Sequence, residues 1–222
     1  MLKHLIKATL IASLAVLATG CAGPGPIAKR DYTAYKQSRP RAILVLPPVN
    51  DSPEVNGPNG VLSQMTYPLA EAGYYVVPVA LMTETFKQNG LATANDIQAV
   101  SPAKLREIFG ADAALYTTVK RYGVRYSVLD SVAEVEVQTK LVDLKSGQQL
   151  WAGSAAANNA NSNNNNAGGL VGMLINAAIK QIVNSATDAT YPVAGMASNQ
   201  LLSAGHTNGM LYGPRSPLYG TD

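Results

Sequence analysis

The chain of 222 residues predicts a mixed α/β fold, a central mixed β-sheet flanked by helices. Three patterns carry this prediction. Residues 42–46 (Ala-Ile-Leu-Val-Leu) form a short, continuously apolar run, the signature of a strand covered on both faces. Helical spacing and a second apolar run then follow, giving the order strand, helix, strand, helix. Residues 132–141 alternate, with Ala133, Val135, Val137 and Leu141 on one face and Glu134, Glu136, Gln138 and Lys140 on the other. That period belongs to a strand with one face in water, usually antiparallel.

Taken in order, the first strand stops at Pro47-Pro48, since neither proline can donate to a ladder. A loop rich in Pro, Gly and Asn covers 50–60, with Asn59 as N-cap of a helix over 61–72 that contains Pro68. A second strand is expected over 74–79 and a second helix over 80–89, ended by Gly90. Ser101-Pro102 opens a helix that Gly110 closes, because Ser caps and Pro fits the first turn. A third strand covers 113–122. After the alternating strand, Lys145-Ser146-Gly147-Gln148 reads as a hairpin turn returning through 150–153. Residues 158–166 are nearly all Asn and are expected to be a mobile loop. An apolar helix over 168–185, a final helix over 190–203 and a short strand at 210–212 precede a Gly/Pro tail.

The start of the chain is of another kind. Lys3 and Lys7 are followed by an apolar run over 8–18 and by Ala18-Thr19-Gly20-Cys21. This is an export leader, too short to span a bilayer, which needs about 20 apolar residues. Cleavage between Gly20 and Cys21 would leave the chain's one cysteine at the new amino terminus, the place where bacterial lipoproteins carry their acyl chains. The expected organisation is a signal peptide at 1–20, a lipidated flexible tether at 21–40 and a single α/β domain at 41–222. Ala22, not an aspartate, follows the cysteine, so the outer membrane is the expected destination, with the domain facing the periplasm.

Composition narrows the function. Charged residues are 14% of the chain, against roughly 25% in ordinary soluble proteins. The leader holds two of the lysines and no acid, so the remainder is nearly neutral and lacks the basic footprint of a nucleic-acid binder. With Cys21 acylated no thiol remains for a disulfide. Tyrosines number 11 against 2 Phe and 1 Trp, and tyrosine is the ring that tolerates a half-wet contact.

Chemistry is sparse. His206 is the histidine beyond the leader and lies in a Gly-rich loop without a G-x-S-x-G nucleophile, so no catalytic residues are expected and the chain reads as a non-enzyme. One histidine cannot build a zinc site, and Asp51 and Glu54 lack calcium-loop spacing, so no metal is expected. The glycines of Asn56-Gly57-Pro58-Asn59-Gly60 fit neither phosphate-binding fingerprint, and no cofactor is expected.

Three blocks carry a family resemblance: Leu44-Val45-Leu46-Pro47-Pro48-Val49-Asn50-Asp51-Ser52, Tyr67 to Val79, and Leu211-Tyr212-Gly213-Pro214-Arg215. Over residues 41–213 the chain resembles a family of proteobacterial lipoproteins whose best-known member is a meningococcal genome-derived antigen. The resemblance implies a fold similar to the N-terminal domain of TolB and the periplasmic domain of the curli-secretion lipoprotein CsgG. It brings little mechanism, because the group is named for location. CsgG builds its pore from long amphipathic hairpins, and here 131–141 alone approaches the length of a barrel strand.

The expectation is therefore a lipid-anchored, non-enzymatic assembly or envelope-complex component, with the membrane as partner through Cys21. CsgG-like or other envelope lipoproteins are expected partners, and a homodimer through the apolar 168–185 helix would hide its exposed face. The rival reading is a periplasmic ligand-binding or enzymatic component of an envelope transport system, with its cleft at the strand ends.

Overall fold

In the computed structural model, which describes residues 29–126, 131–160 and 189–222, six strands form one mixed sheet in the order β3-β1-β4-β5-β6, with β2 continuing beside β4. The leader, Cys21 and the apolar stretch 168–185 lie outside the described residues.

The first element comes early. Helix α1 (Thr33–Ser38) starts where Asp31 Oδ1 accepts the Thr33 N–H and hydroxyl at 2.8 and 2.6 Å. It buries Tyr35 and ends in a left-handed Arg39 (φ 46°) whose N–H bonds Tyr35 O. The compact unit thus begins at Asp31, and the expected tether is corrected: residues 31–40 belong to the domain. Burial of one tyrosine is what the hydropathy pattern of so short a segment could not show.

Strand β1 (Ala42–Val45) pairs in parallel with β3 (Tyr75–Val76) and β4 (Ala113–Tyr126). Pro47-Pro48 does not end the strand's path. After Val45 opposite Leu115, β2 (Val49–Asn50) resumes with Val49 opposite Thr118, one residue out of step, so the prolines sit in a bulge. Ile43, Leu44 and Val45 are all buried, as the apolar run requires of a strand covered on both faces.

Helix α2 (Gly57–Glu71) begins four residues before the expected start at 61. Asn56, not Asn59, is its N-cap, and Pro58 lies in its first turn, where a missing N–H costs nothing. The second strand shrinks from the expected 74–79 to β3, because Pro78 cannot pair and instead caps α3 (Val79–Gln88). Helices α4 (Ala94–Gln98) and α5 (Pro102–Phe109) follow. The α5 ends match expectation: Ser101 Oγ accepts Lys104 N–H, and Gly110 takes φ +63°. The parallel crossovers are those of an α/β unit.

The second half of the sheet is antiparallel. β4 and β5 (Ser131–Asp143) pair along their lengths, and β6 (Gln149–Asn158) pairs with β5. Strand β4 has 14 residues and β5 has 13, so both arms exceed the length the sequence reading allowed. The alternation in β5 holds: Ala133, Val135, Val137 and Leu141 are buried, while Gln138 and Lys140 face solvent. Residues 158–160 close the end of β6, and Asn159 Oδ1 accepts the Ala133 N–H at 3.0 Å, so these three residues are not part of a mobile loop. Residues 161–166 lie outside the described set.

Helices α2 and α6 (Thr190–Leu202) cover one face. Met65 of α2 lies 3.7 Å from Thr117 Oγ1, and Leu201 of α6 approaches Gly153, over which the Trp151 ring folds. The tail is corrected as well. Only an isolated bridge, Ala204 with Met210, replaces the expected short strand. The following residues fold back onto the domain, with Gly213 N–H on Ala72 O at 2.7 Å and Arg215 N–H on Gly73 O at 3.0 Å. Gly73 (φ +96°) and Gly213 make this approach possible, since a Cβ on Gly73 would lie 2.4 Å from Ser216 N.

Candidate functional site at the amino ends of the parallel strands

In open α/β sheets ligands usually sit at the carboxyl ends of the strands. Here that place is filled. Gln98 of α4 donates to the carbonyls of Pro47 and Thr117 at 2.8 and 3.0 Å. The two glycines that look like a phosphate turn rest on Tyr122: a Cβ on Gly57 would be 3.0 Å from Tyr122 Cβ, and one on Gly60 would be 2.5 Å from its hydroxyl. Their work is to admit a ring.

Two cavities among the described residues lie at the opposite, amino-terminal end. The larger, about 390 Å³, is bordered by Lys36, Arg39, Tyr74, Tyr212, Tyr219 and Asp222. Its floor is a hydroxyl chain. Tyr74 Oη donates to Leu211 O at 2.6 Å, and Tyr35 Oη lies 2.9 Å from Tyr74 Oη. Having spent its one proton on the carbonyl, Tyr74 accepts from Tyr35. Burial pushes both phenols above their ordinary pKa. The rim is tied down by Asp222, whose Oδ2 accepts Tyr212 N–H at 2.7 Å and whose carbonyl accepts Lys36 Nζ at 2.6 Å.

The second cavity, about 330 Å³, is bordered by Arg41, Tyr75, Asp112 and Arg215. Asp112 Oδ2 accepts the N–H groups of Arg41 and Ala42 at 2.9 and 3.1 Å, fixing the entry to β1. The Arg215 guanidinium stands 5.3 Å from the centroid of the Tyr75 ring. Both cavities combine tyrosine faces with cations, suited to holding an anion beside an apolar group.

The other residues singled out in the sequence have structural settings. His206 is exposed, its ring against Gly209. Asp51 Oδ2 pairs with Lys120 Nζ at 2.6 Å. Among the described residues no group of three or more His, Cys, Asp or Glu is placed to hold a metal ion, and no helix is long and apolar enough to cross a membrane. The tyrosine surplus was the one trace of the cavities in the sequence; the assembly of Tyr35, Tyr74 and Tyr219 depends on contacts across most of the chain.

A mixed sheet with helices on it, in a chain whose start reads as an export leader before a cysteine, fits an α/β lipoprotein, a membrane-associated class. The chain belongs to the family described as "Putative lipoprotein GNA1162-like", which matches residues 30–215. It is 49% identical over 214 residues to the Neisseria meningitidis serogroup B "Putative lipoprotein NMB1124/NMB1162", covering 95% of this chain and 97% of the relative. The crystal structure of lipoprotein GNA1162 from Neisseria meningitidis is similar at 53% identity and a TM-score of 0.54, covering 66% of this chain and all of that one. The C-terminal domain of LpoB from Salmonella enterica matches at 21% identity and a TM-score of 0.39, over 52% of this chain and 81% of that one. A likeness that weak says nothing about what this chain does.

Proposed function

We propose that this protein is a non-enzymatic outer-membrane lipoprotein, held by acyl chains on Cys21 with its α/β domain in the periplasm, and that it serves as an assembly or envelope-complex component related to CsgG-type systems. The observation that carries the reading is Cys21 itself, placed directly after an export leader in a chain of a lipoprotein family. Stable anchoring takes at least two acyl chains, which a diacylated cysteine supplies. Ala22 favours the outer membrane. Replacing Cys21 with Ser should abolish palmitate incorporation and release the protein from membranes; undiminished labelling overturns the anchor, and fractionation with inner-membrane markers overturns the destination.

The non-enzymatic reading is supported by the setting of His206, whose ring lies on Gly209 in an exposed loop. A homodimer through residues 168–185 belongs to the same proposal. Ile175→Asp with Ile179→Asp should give a folded monomer, read by light scattering with circular dichroism; unfolding instead places these residues in the protein's own core.

A second reading, a periplasmic component that binds a small ligand, is favoured by the 390 Å³ cavity, a size typical of small-molecule sites. The two separate by thermal shift, since a ligand selective for the folded state must raise its stability.

A further inference from the structure

We propose that the end of the domain carrying Lys36, Arg39, Arg41 and Arg215 is a membrane-facing surface that seats the phosphate headgroups of anionic phospholipid. The proposal rests on the reading of Cys21 as the lipid anchor and adds to it an orientation and a lipid preference.

The first argument is where the chain enters. Residues 22–30 span at most about 30 Å when extended. They lead to Asp31, and α1, six residues and therefore about 9 Å long, runs from there to Arg39. Arg39, Pro40 and Arg41 then lead directly into β1. The cations thus lie one short helix from the residue where the tether joins the domain, and the tether's length lets them reach a bilayer that holds Cys21.

The second argument is charge and how it is held. Arg215 comes from the far end of the sequence, yet its N–H on Gly73 O and its guanidinium over Tyr75 fix it beside Arg41. The acids here are engaged by neighbouring groups. Asp112 is bonded to two backbone N–H groups and lies 3.8 Å from Arg41 Nε, whose side chain is 78% exposed. Asp222 is bonded to Tyr212 N–H and its carbonyl takes Lys36 Nζ at 2.6 Å, so the exposed Arg39, Arg41 and Arg215 carry most of the charge left for a partner. On the β4–β5 hairpin, by contrast, Arg121 reaches Glu136 at 2.7 Å, an ion pair between neighbouring strands that leaves less charge for a partner. Attraction of basic side chains to anionic lipid acts within about 10 Å, so it can hold this surface once the tether has let the domain approach the bilayer.

The third argument is apolar. Tyr75 and Tyr219, which border the cavities, are 44% and 46% exposed, and Leu218, next to Tyr219 in the chain, is 47% exposed. Tyrosine settles at the water–lipid boundary because its ring is apolar and its hydroxyl is wet. Each cavity sets two cations beside tyrosine: Lys36 and Arg39 in one, Arg41 and Arg215 in the other. That repeats the chemistry of a headgroup phosphate joined to acyl chains.

The test uses the full lipidated protein, reconstituted into phosphatidylcholine vesicles with or without phosphatidylglycerol. A fluorophore is placed at Leu218→Cys, or at Val55→Cys on the α2 side, where Val55 is 83% exposed. With phosphatidylglycerol present, a lipid-borne quencher should reduce the Leu218 signal by at least about twofold more than the Val55 signal. The difference should vanish in phosphatidylcholine alone and in about 0.5 M salt, where screening is short-ranged. It should also vanish in Lys36→Gln/Arg39→Gln/Arg41→Gln/Arg215→Gln, with circular dichroism confirming that the variant folds; the salt comparison needs no variant. Equal quenching at both sites, or quenching indifferent to salt and lipid charge, overturns the surface. Protein that floats with vesicles while the Leu218 label stays in water overturns the surface and leaves the anchor intact. Protein that does not float at all overturns the anchor reading and this surface with it.

Discussion

Gly60, in the first turn of α2, lies against Tyr122 of β4 so closely that a Cβ on the glycine would stand 2.5 Å from the tyrosine hydroxyl. The helix start and the long strand therefore meet through a missing side chain. Gly60→Ala should destabilise the domain by about 1–3 kcal/mol, the usual cost of overpacking, because both backbone and ring are held by neighbours. Denaturant melts read the change, and a Tyr122→Ala background should shrink it. A Gly60→Ala penalty unchanged in that background would show that the contact is not its source.

The Tyr35 to Tyr74 to Leu211 chain gives an asymmetric expectation. Tyr74→Phe leaves Leu211 O and the Tyr35 hydroxyl without their partner and should cost about 1–3 kcal/mol. Tyr35→Phe removes one donor but leaves the Tyr74 bond to the carbonyl, so its cost should be smaller. Equal losses in urea melts would contradict this order.

The same pair sets an alkaline limit. Burial first, and the neighbouring tyrosine for Tyr35, raise both folded pKa values above the ordinary phenol value. Raised folded values mean stability that is complete below the unfolded phenol pKa, near 10. It declines as pH rises through that value towards the folded ones. Stability should therefore begin to fall above about pH 10, and less steeply in Tyr35→Phe/Tyr74→Phe. A double variant with the same alkaline slope would count against the buried pair.

Asp143 carries the hairpin turn before β6. Burial raises its carboxyl pKa, but the Ser38 hydroxyl, the Ser146 N–H and hydroxyl and the Lys145 N–H outweigh that and leave it below the ordinary carboxylate value. The stability it contributes is present above the unfolded carboxyl pKa, about 3.9, and is lost as pH falls through the lower folded value. Asp143→Ala should cost about 1–3 kcal/mol at neutral pH and less in acid. A penalty independent of pH would show that the charge is irrelevant to the turn.

Ser198 is fully buried on α6, and its hydroxyl has no hydrogen-bond partner among the described residues. Ser198→Ala removes the unpaired group without leaving a large hole. It should raise stability by about 1 kcal/mol, or about 2–4 °C in a thermal melt. A lower melting temperature would reveal a partner for the hydroxyl.

Some features needed only neighbours in the chain. Ser101-Pro102 and Gly110 fixed the ends of α5 because capping and left-handed backbone are local matters. The period of two in β5 gave its buried face, since a strand with one wet side can satisfy that pattern in one way. The expectation of an export leader before Cys21 likewise drew on neighbouring residues alone. The small residues at 155–157, by contrast, carry little strand preference, and β6 extends through them because β5 supplies the ladder.

What the sequence by itself determined was therefore the class: a lipoprotein with an α/β domain built on a mixed sheet flanked by helices. Tertiary structure decided the rest. It folded the tail onto Gly73, gave Gly57 and Gly60 to Tyr122, ended α1 in a left-handed Arg39, and brought Tyr35, Tyr74 and Leu211 into one chain of hydrogen bonds. The reason is range. Propensity, capping and alternation are energies of residues a few positions apart, whereas Tyr74 and Leu211 are 137 positions apart and meet only after the sheet has set the distance between them.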